Sequence, residues 1–93
     1  MKNITLPYGG YWKKENLPTY AGLYYVFATK LTAEGKLIGK RLIYIGETDN
    51  IHKRHNGTKK EPKEHEHLQD FKDELKDEEV LRYATSKLKQ TEK

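Results

Sequence analysis

The chain has 93 residues, of which 34% are apolar and 34% are charged. This length allows one compact domain with a small core, so a multidomain enzyme is excluded and we predict a single domain over residues 1–93. No apolar stretch approaches the roughly 20 residues that cross a bilayer, and nothing resembles a signal peptide, so membrane transport is excluded and no membrane partner is expected. The chain has no cysteine, which fits a soluble, cytoplasmic protein.

Charge is divided unevenly along the chain. Residues 1–60 hold 11 Lys or Arg against 4 Asp or Glu, whereas residues 61–93 hold 7 against 10, which gives formal charges of +7 and −3. A basic part beside an acidic part favours a face that binds a polyanion, with the opposite side turned to solvent. The net charge of +4 alone gives only weak binding to nucleic acid, and a soluble surface without such a role is the more ordinary interpretation.

The first half of the chain predicts an irregular lead-in followed by a β-hairpin. Residues 1–18 contain two prolines, two adjacent glycines and three aromatic side chains, a mixture that prevents a long regular element but can pack on the domain. Residues 20–29 are dense in aromatic and other β-favouring types and predict a first strand. After a turn at residues 33–36, the mostly apolar residues 37–46 predict a second, antiparallel strand in a hairpin with one face buried.

A short helix is predicted to follow the hairpin. Thr48 or Asp49 can cap its N-terminus and Gly57 can end it, which limits the helix to two turns. An exposed basic loop comes next, after which Pro62 suits the first turn of a second helix. We predict that this second helix covers about residues 63–77.

The second helix carries a narrow apolar stripe on an otherwise charged surface. Leu68, Phe71 and Leu75 recur at the spacing of one helical face, so this helix is expected to cover the hairpin. Residues 80–85 alternate in polarity and predict a third strand, and residues 87–93 are typical of the opening turns of a last helix that the chain does not complete. The predicted fold class is therefore α/β of the α+β type, a small three-stranded antiparallel sheet flanked by helices.

Two tripeptides stand at related places in the two hairpin strands. Gly-Leu-Tyr at residues 22–24 lies in the first strand, and Tyr-Ile-Gly at residues 44–46 ends the second. Arg54 follows in the predicted short helix. In this combination, and along residues 44–55, the chain resembles the GIY-YIG nuclease domain of homing endonucleases, some restriction enzymes and the N-terminal part of the bacterial excinuclease C subunit. The resemblance runs over about residues 22–92, with strands and helices in the family's order.

The resemblance implies an endonuclease that hydrolyses DNA phosphodiester bonds with a divalent metal, Mg²⁺ or Mn²⁺, and a tyrosine-assisted water. Tyr24 and Tyr44 stand where the family has its paired tyrosines, either of which could be the base, and Arg54 where it has the residue that clamps the phosphate. Glu92 stands about where the family has its metal-binding carboxylate. The implied partner is DNA, in processes that include DNA repair. A domain this small is expected to gain specificity from an appended domain or a protein partner.

Elementary chemistry supports these residue types. A phenol with a reference pKa of about 10 can act as a base only if a cation or a metal-bound water lowers the cost of its anion. Tyr24 and Tyr44 lie on adjacent strands and could meet across the sheet if the register permits. The planar fork of Arg54 can bind two phosphate oxygens. A hard cation keeps most of its waters, so one carboxylate plus a phosphate can hold it.

Two positions depart from the family's pattern. Glu47 follows the second tripeptide, where several members have Lys. Thr58 stands four residues after the predicted phosphate clamp, where some members have His or Tyr, and His55, His65 or His67 could substitute for that side chain. A structural zinc site built from the four histidines is disfavoured, because the chain has no cysteine to complete it.

The basic loop adds predicted substrate contacts and a second class of function. We predict that Lys53, His55, Lys59 and Lys60 contact the substrate. On the alternative interpretation the chain is a catalytically inactive DNA-binding module on the same fold, which uses these lysines and Arg54 to contact phosphates without cutting. Metal-dependent cleavage separates the two functions.

Overall fold

The computed structural model of the chain describes residues 11–88. Its strands and helices follow in the order β1 (Gly22–Leu31), β2 (Leu37–Thr48), α1 (Ile51–Asn56), α2 (Leu68–Asp73) and β3 (Glu79–Lys87). A single 3-10 turn at Lys14–Asn16 precedes them. The predicted α+β class, with a three-stranded antiparallel sheet and helices beside it, is confirmed. Over residues 11–88 no helix has the length and apolar character needed to span a membrane.

β1 is the central strand of the sheet. It pairs with β2 on one side and with β3 on the other, and both pairings are antiparallel. Successive side chains of a strand point to opposite faces, so Tyr24, Val26 and Ala28 share one face of β1, where all three are buried. This face is the one on which the core forms.

A β-bulge interrupts the pairing of β1 with β2. Val26 pairs with Tyr44 and Phe27 pairs with Leu42, which leaves Ile43 as an extra residue in β2. A bulge locally bends and twists the strand that contains it. As a result the neighbours Ile43 and Tyr44 both pack against the core.

The core lies between this face of the sheet, the two helices and the lead-in. Its buried members come from all of these parts: Leu17, Tyr24, Val26, Ile51, Leu68, Phe71 and Tyr83. The lead-in is fixed to β3 by two backbone hydrogen bonds between Trp12 and Tyr83, at 2.8 and 3.0 Å. For residues 11–18, the prediction of an irregular segment that packs on the domain is therefore confirmed.

The opposite face of the sheet is only partly covered by the described residues. Leu42 is 48% exposed and Ile45 is 51% exposed, whereas the core face of β1 is closed. The predicted hairpin with one buried face is confirmed.

All three predicted strands are present, with different limits. β1 begins and ends two residues later than predicted, β2 continues to Thr48, and β3 spans Glu79–Lys87 where residues 80–85 were expected. β1 pairs with β3 from Gly22 to Lys30. The strands therefore extend beyond the apolar segments that predicted them, because backbone hydrogen bonds between the strands continue past those segments. Lys87, predicted to open a last helix, ends β3, and residues 89–93 of that prediction lie outside the described residues.

α1 is the predicted short helix, with a different cap. The side chain of Asn50 accepts a hydrogen bond from the Lys53 amide at 3.0 Å, so neither Thr48 nor Asp49 is the cap. Gly57 ends the helix as predicted, with a φ of 71° that a side chain would strain.

α2 is much shorter than the predicted helix over residues 63–77. The chain from Lys63 to His67 stays irregular, because the Lys63 amide bonds the Asn56 carbonyl and the buried His65 is held against β1. At the other end, Arg41 donates to the carbonyl of Glu74 at 2.5 Å, which satisfies a carbonyl that a longer helix would use. Of the predicted apolar stripe, Leu68 and Phe71 are buried and Leu75 is half-buried.

Candidate active site

Tyr24 and Tyr44 meet on the core face of the sheet. Tyr24 pairs with Gly46, two residues beyond Tyr44 on β2, so the two tyrosines are diagonal neighbours. Their ring centroids are 6.1 Å apart and the rings are inclined by 26°. Tyr24 and Tyr44 therefore contact each other across the hairpin, as predicted.

The glycines of the two tripeptides each leave room for a specific neighbour. A Cβ on Gly46 would collide with the Cζ and hydroxyl of Tyr24, whose ring lies across this position. A Cβ on Gly22 would collide with the backbone carbonyl oxygen of Ser86 on β3. Gly46 thus admits the Tyr24 ring, and Gly22 admits the adjoining strand.

The hydroxyl of Tyr24 is bonded to a histidine that comes from the loop before α2. His65 Nε2 lies 2.7 Å from Tyr24 Oη, and both residues are only 2% exposed. The His55 ring stands edge-on to Tyr24, with centroids 4.5 Å apart, and stacks on His65 at 5.0 Å. Tyr24 is therefore enclosed by two imidazole rings and by Tyr44.

The direction of the bond between Tyr24 and His65 follows from the other nitrogen of the imidazole. The backbone amide of His67 donates to His65 Nδ1 at 3.0 Å, so Nδ1 carries no proton. Desolvation by burial, together with the nearby charge of Arg54, lowers the pKa of His65 to about 4, and the ring is neutral at neutral pH. Its one proton is then on Nε2, which donates to Tyr24 Oη.

Arg54 lies beside the same hydroxyl. Burial raises the pKa of Tyr24, while the charge of Arg54 and its hydrogen bonding to the phenol act in the opposite direction. The guanidinium also pairs with the carboxylate of Glu66 at 3.6 Å, and 29% of the Arg54 side chain is exposed. Arg54 therefore connects the buried phenol to solvent, where an anionic ligand can replace Glu66.

His55 does not occupy the place predicted for it. It is fully buried, so it cannot contact a substrate directly, and we correct its role to that of a packing neighbour of Tyr24. Its Nδ1 donates to the Ile51 carbonyl at 3.0 Å, which places the free lone pair on Nε2, an atom with no hydrogen-bond partner among the described residues. Desolvation by burial lowers the pKa of His55 to about 4, so this ring too is neutral.

The three lysines predicted to contact substrate are all exposed, as such a role requires. Lys53 lies on α1 next to Arg54 and lines a cavity with it. Lys59 and Lys60 lie in the loop after α1, where the amide of Thr58 bonds the Glu61 carbonyl at 3.1 Å. The structure thus places one lysine at the site and two on the loop beside it.

The sequence left open which histidine accompanies the tyrosines, and the geometry selects His65. His67 instead lies over Tyr44, with ring centroids 5.8 Å apart, and its nitrogens are 3.3 and 3.4 Å from carboxylate oxygens of Asp70 and Glu66. No spacing in the sequence identifies His65, because its contact with Tyr24 spans 41 residues.

The carboxylates near the site do not form a metal centre by themselves. Among residues 11–88 no group of three or more His, Asp or Glu side chains could hold a metal ion. The predicted ligand Glu92 lies outside the described residues. Glu47 pairs with Leu23, which puts it on the face of the sheet opposite Tyr24, so its negative charge is directed away from the phenol.

Comparisons of the chain with protein-family models, with curated proteins and with solved structures find no match. The function of this site therefore has to follow from its own chemistry.

Proposed function

We propose that the chain is a DNA endonuclease of the GIY-YIG type that hydrolyses phosphodiester bonds, with Tyr24 as the base that activates water. One observation supports this proposal above all: an imidazole N–H is bonded to the hydroxyl of a buried tyrosine on which the charge of a nearby guanidinium also acts. Both groups stabilise a phenolate more than a phenol. A tyrosine that served only to fill the core would need a hydrogen-bond partner for its hydroxyl but not a neighbouring cation.

In the proposed reaction Tyr24 acts as its phenolate, which forms by loss of the phenol proton to solvent. The phenolate oxygen takes a proton from water while the water oxygen bonds to phosphorus and the phosphorus bond to the leaving oxygen breaks. The leaving oxygen takes a proton from solvent. Arg54 exchanges Glu66 for the phosphate and donates to its non-bridging oxygens, where negative charge develops.

His65 is a positioning residue in this scheme. Its Nε2–H holds the phenolate oxygen, and its Nδ1 is held by the His67 amide, so the ring cannot turn to present an acceptor. Tyr44 packs beside Tyr24 and supports its orientation.

Mg²⁺ or Mn²⁺ belongs to the proposal as a cofactor that Glu92 would help to hold and that would supply neutralisation of negative charge at the phosphate. The described residues alone do not supply a ligand set for it, and the proposed ligand is Glu92. The steps assigned to Tyr24, Arg54 and His65 do not depend on how the ion is held.

Cleavage of a panel of DNA substrates tests the proposal. Supercoiled plasmid, branched DNA and single strands are incubated with Mg²⁺, with Mn²⁺ or with chelator. We expect metal-dependent products that are lost in Arg54→Ala and strongly reduced in Arg54→Lys, since lysine lacks the planar fork. Arg82→Ala is the matched control and should cleave normally, because Arg82 pairs with Phe27 on the opposite face of the sheet. An Arg54→Ala variant as active as Arg82→Ala would contradict the assignment.

The second candidate function is a DNA-binding module that does not cut. The observation that favours it is the burial of Tyr24, which raises the pKa of the phenol and so disfavours the phenolate. On this alternative Arg54, Lys53 and the loop lysines bind phosphates and Tyr24 only supports them. Binding of DNA by the wild-type chain without cleavage in any divalent metal would favour the module.

A further inference from the structure

A cavity of about 230 Å³ lies beside Arg54. It is bounded by the end of β2, by α1 and by the loop after α1. Its charged lining residues are three cations and two acids: Lys53, Arg54, Lys63, Asp49 and Glu61. Neither Lys53 nor Lys63 takes part in an ion pair among the described residues. Arg54 pairs with Glu66, and its charge also acts on Tyr24.

The neutral polar side chains of this cavity are arranged as donors. Thr48 Oγ1 accepts from the Asn50 amide at 3.3 Å, and Thr58 Oγ1 accepts from the Glu61 amide at 3.0 Å. Asn50 Oδ1 accepts from the Lys53 amide. Each oxygen thereby has one lone pair engaged by the backbone, and the two hydroxyl protons and the Asn50 amide group can donate to a ligand that accepts hydrogen bonds.

The wall of the cavity that the loop after α1 forms is held in place by the fold. Gly57 has a φ of 71°, and a Cβ there would collide with backbone atoms of Glu61 and Lys63. The Lys63 amide bonds the Asn56 carbonyl at 3.2 Å and the Thr58 amide bonds the Glu61 carbonyl at 3.1 Å. A wall closed in this way loses little conformational entropy when a ligand binds.

We propose that this cavity binds a second phosphate of the nucleic-acid strand, next to the phosphate that Arg54 presents to Tyr24. Cations combined with hydroxyl and amide donors match the oxygens of a phosphodiester. Because Arg54 borders both places, two neighbouring phosphates of one strand can occupy them. The inference rests on the proposed nuclease function and adds to it a second phosphate position, which a mononucleotide cannot fill because it has no second phosphodiester.

Binding measurements in chelator test this inference without cleavage. The affinity of a labelled oligonucleotide is measured by fluorescence anisotropy at several salt concentrations for wild type, Lys63→Ala and Lys36→Ala. Lys36 is the matched control, because it precedes β2 whereas the cavity lies at the other end of that strand. Loss of one phosphate contact should lower the slope of log affinity against log salt by about one unit in Lys63→Ala and leave it unchanged in Lys36→Ala.

A pair of variants at Thr58 tests the donor arrangement. Thr58→Ser keeps the hydroxyl and should retain most of the affinity, whereas Thr58→Val should weaken binding about tenfold or more, as expected for the loss of one hydrogen bond to a charged group. Thermal unfolding of both variants shows whether the loop remains folded. If Thr58→Val unfolds early, titration of the wild-type amides with inorganic phosphate, read by NMR, replaces it, with the largest shifts expected at Thr48, Asn50 and Thr58.

Further measurements distinguish the failure of this second-phosphate site, called the subsite below, from the failure of the nuclease proposal. Oligonucleotides with one neutral methylphosphonate linkage at successive positions should bind wild type less tightly when the linkage occupies either of two adjacent positions, and the loss at one of them should vanish in Lys63→Ala. If Lys63→Ala and Lys36→Ala behave alike, or if a mononucleotide binds as tightly as the oligonucleotide, the subsite is wrong even when cleavage is observed. If the subsite effects appear but no metal supports cleavage, the nuclease proposal fails and the phosphate subsite remains.

Discussion

The two walls of the candidate site are stabilised in opposite ways. The aromatic wall consists of Tyr24, Tyr44, His55 and His65. The cationic wall consists of Lys53, Arg54 and Lys63. The first is largely buried, neutral and fixed by packing and hydrogen bonds, whereas the second reaches solvent and carries charge.

One six-residue helix supplies parts of both walls. On α1, Ile51 and His55 are four residues apart and face the core, while Lys53 and Arg54 lie towards solvent. The aromatic wall should therefore respond to pH and to changes of volume, and the cationic wall to salt and to charge neutralisation. Three of the four predictions that follow address one wall and should leave the other unchanged, and the second addresses the pairing of β1 with β3.

The largest expected effect is the loss of stability in acid. The pKa values of His55 and His65 are lowered to about 4, against about 6.5 for an unfolded chain. The unfolded state binds more protons between these pH values, so the contribution of the neutral rings is complete above pH ~6.5 and is lost as the pH falls towards ~4. The expected loss is on the order of 3 kcal/mol for the two stacked rings together.

Urea unfolding at a series of pH values checks this. The free energy of unfolding should fall steeply between pH 6.5 and 5, and His55→Leu should remove about half of that pH dependence. A wild-type free energy that stays constant over this range would show that the rings are not held neutral inside the aromatic wall.

The second effect concerns the close approaches that the glycines permit. Gly22→Ala places a Cβ against the Ser86 carbonyl, and overpacking of this kind costs about 1–3 kcal/mol. Gly39→Ala is the matched control in β2, where the nearest atom, Lys30 Cβ, is 3.8 Å away. Denaturation midpoints should fall for Gly22→Ala and change little for Gly39→Ala. Equal midpoints for the two variants would mean that β1 and β3 can separate at this point without cost.

The third effect concerns the donor to Tyr24. His65→Gln keeps an N–H that can reach the phenol, whereas His65→Leu removes it, so we expect about tenfold slower cleavage by His65→Leu than by His65→Gln. Thermal unfolding of both variants controls for stability. If His65→Gln and His65→Leu cleave at the same rate, His65 serves packing alone.

The smallest effect belongs to the cationic wall. Glu66 pairs with Arg54 at 3.6 Å and is 69% exposed at its side chain, and exposed pairs contribute about 0–1 kcal/mol. Glu66→Gln frees Arg54 and should strengthen DNA binding by a fewfold factor at low salt, measured by anisotropy in chelator. The same substitution at Glu64, which is exposed and forms no ion pair among the described residues, is the control. Weaker binding by Glu66→Gln would indicate that Glu66 positions Arg54 and does not compete for it.

The sequence was sufficient to predict the parts of the fold that depend on local patterns. The strands followed from apolar and aromatic runs, and the end of α1 followed from Gly57. The predicted start of the second helix was wrong because His65 is drawn into the core by a contact 41 residues away, which no local pattern contains. The cap of α1 was misplaced by one or two residues, because Thr48, Asp49 and Asn50 are all capping types.

In the candidate site too, local patterns predicted some features, while others depend on contacts between residues far apart in the sequence. Alternation along the strands predicted that Tyr24 and Tyr44 could meet, but the register and the bulge at Ile43 are properties of the folded sheet. The burial of His55 had a signal that was available, since Ile51 and His55 share one face of a helix. No signal in the sequence indicated the hydrogen bond between His65 and Tyr24.

The measurement that tests the central claim most directly is the pH dependence of single-turnover DNA cleavage by wild type, Tyr24→Phe and Tyr44→Phe. Because the pKa of Tyr24 is raised, the wild-type rate should increase about tenfold per pH unit between pH 7 and 9 as the phenolate fraction grows. Tyr24→Phe should lose about 10²-fold or more in rate together with this slope, while Tyr44→Phe should be slower but keep the slope. Equal losses in both variants, or a slope that persists in Tyr24→Phe, would contradict the assignment of Tyr24 as the base.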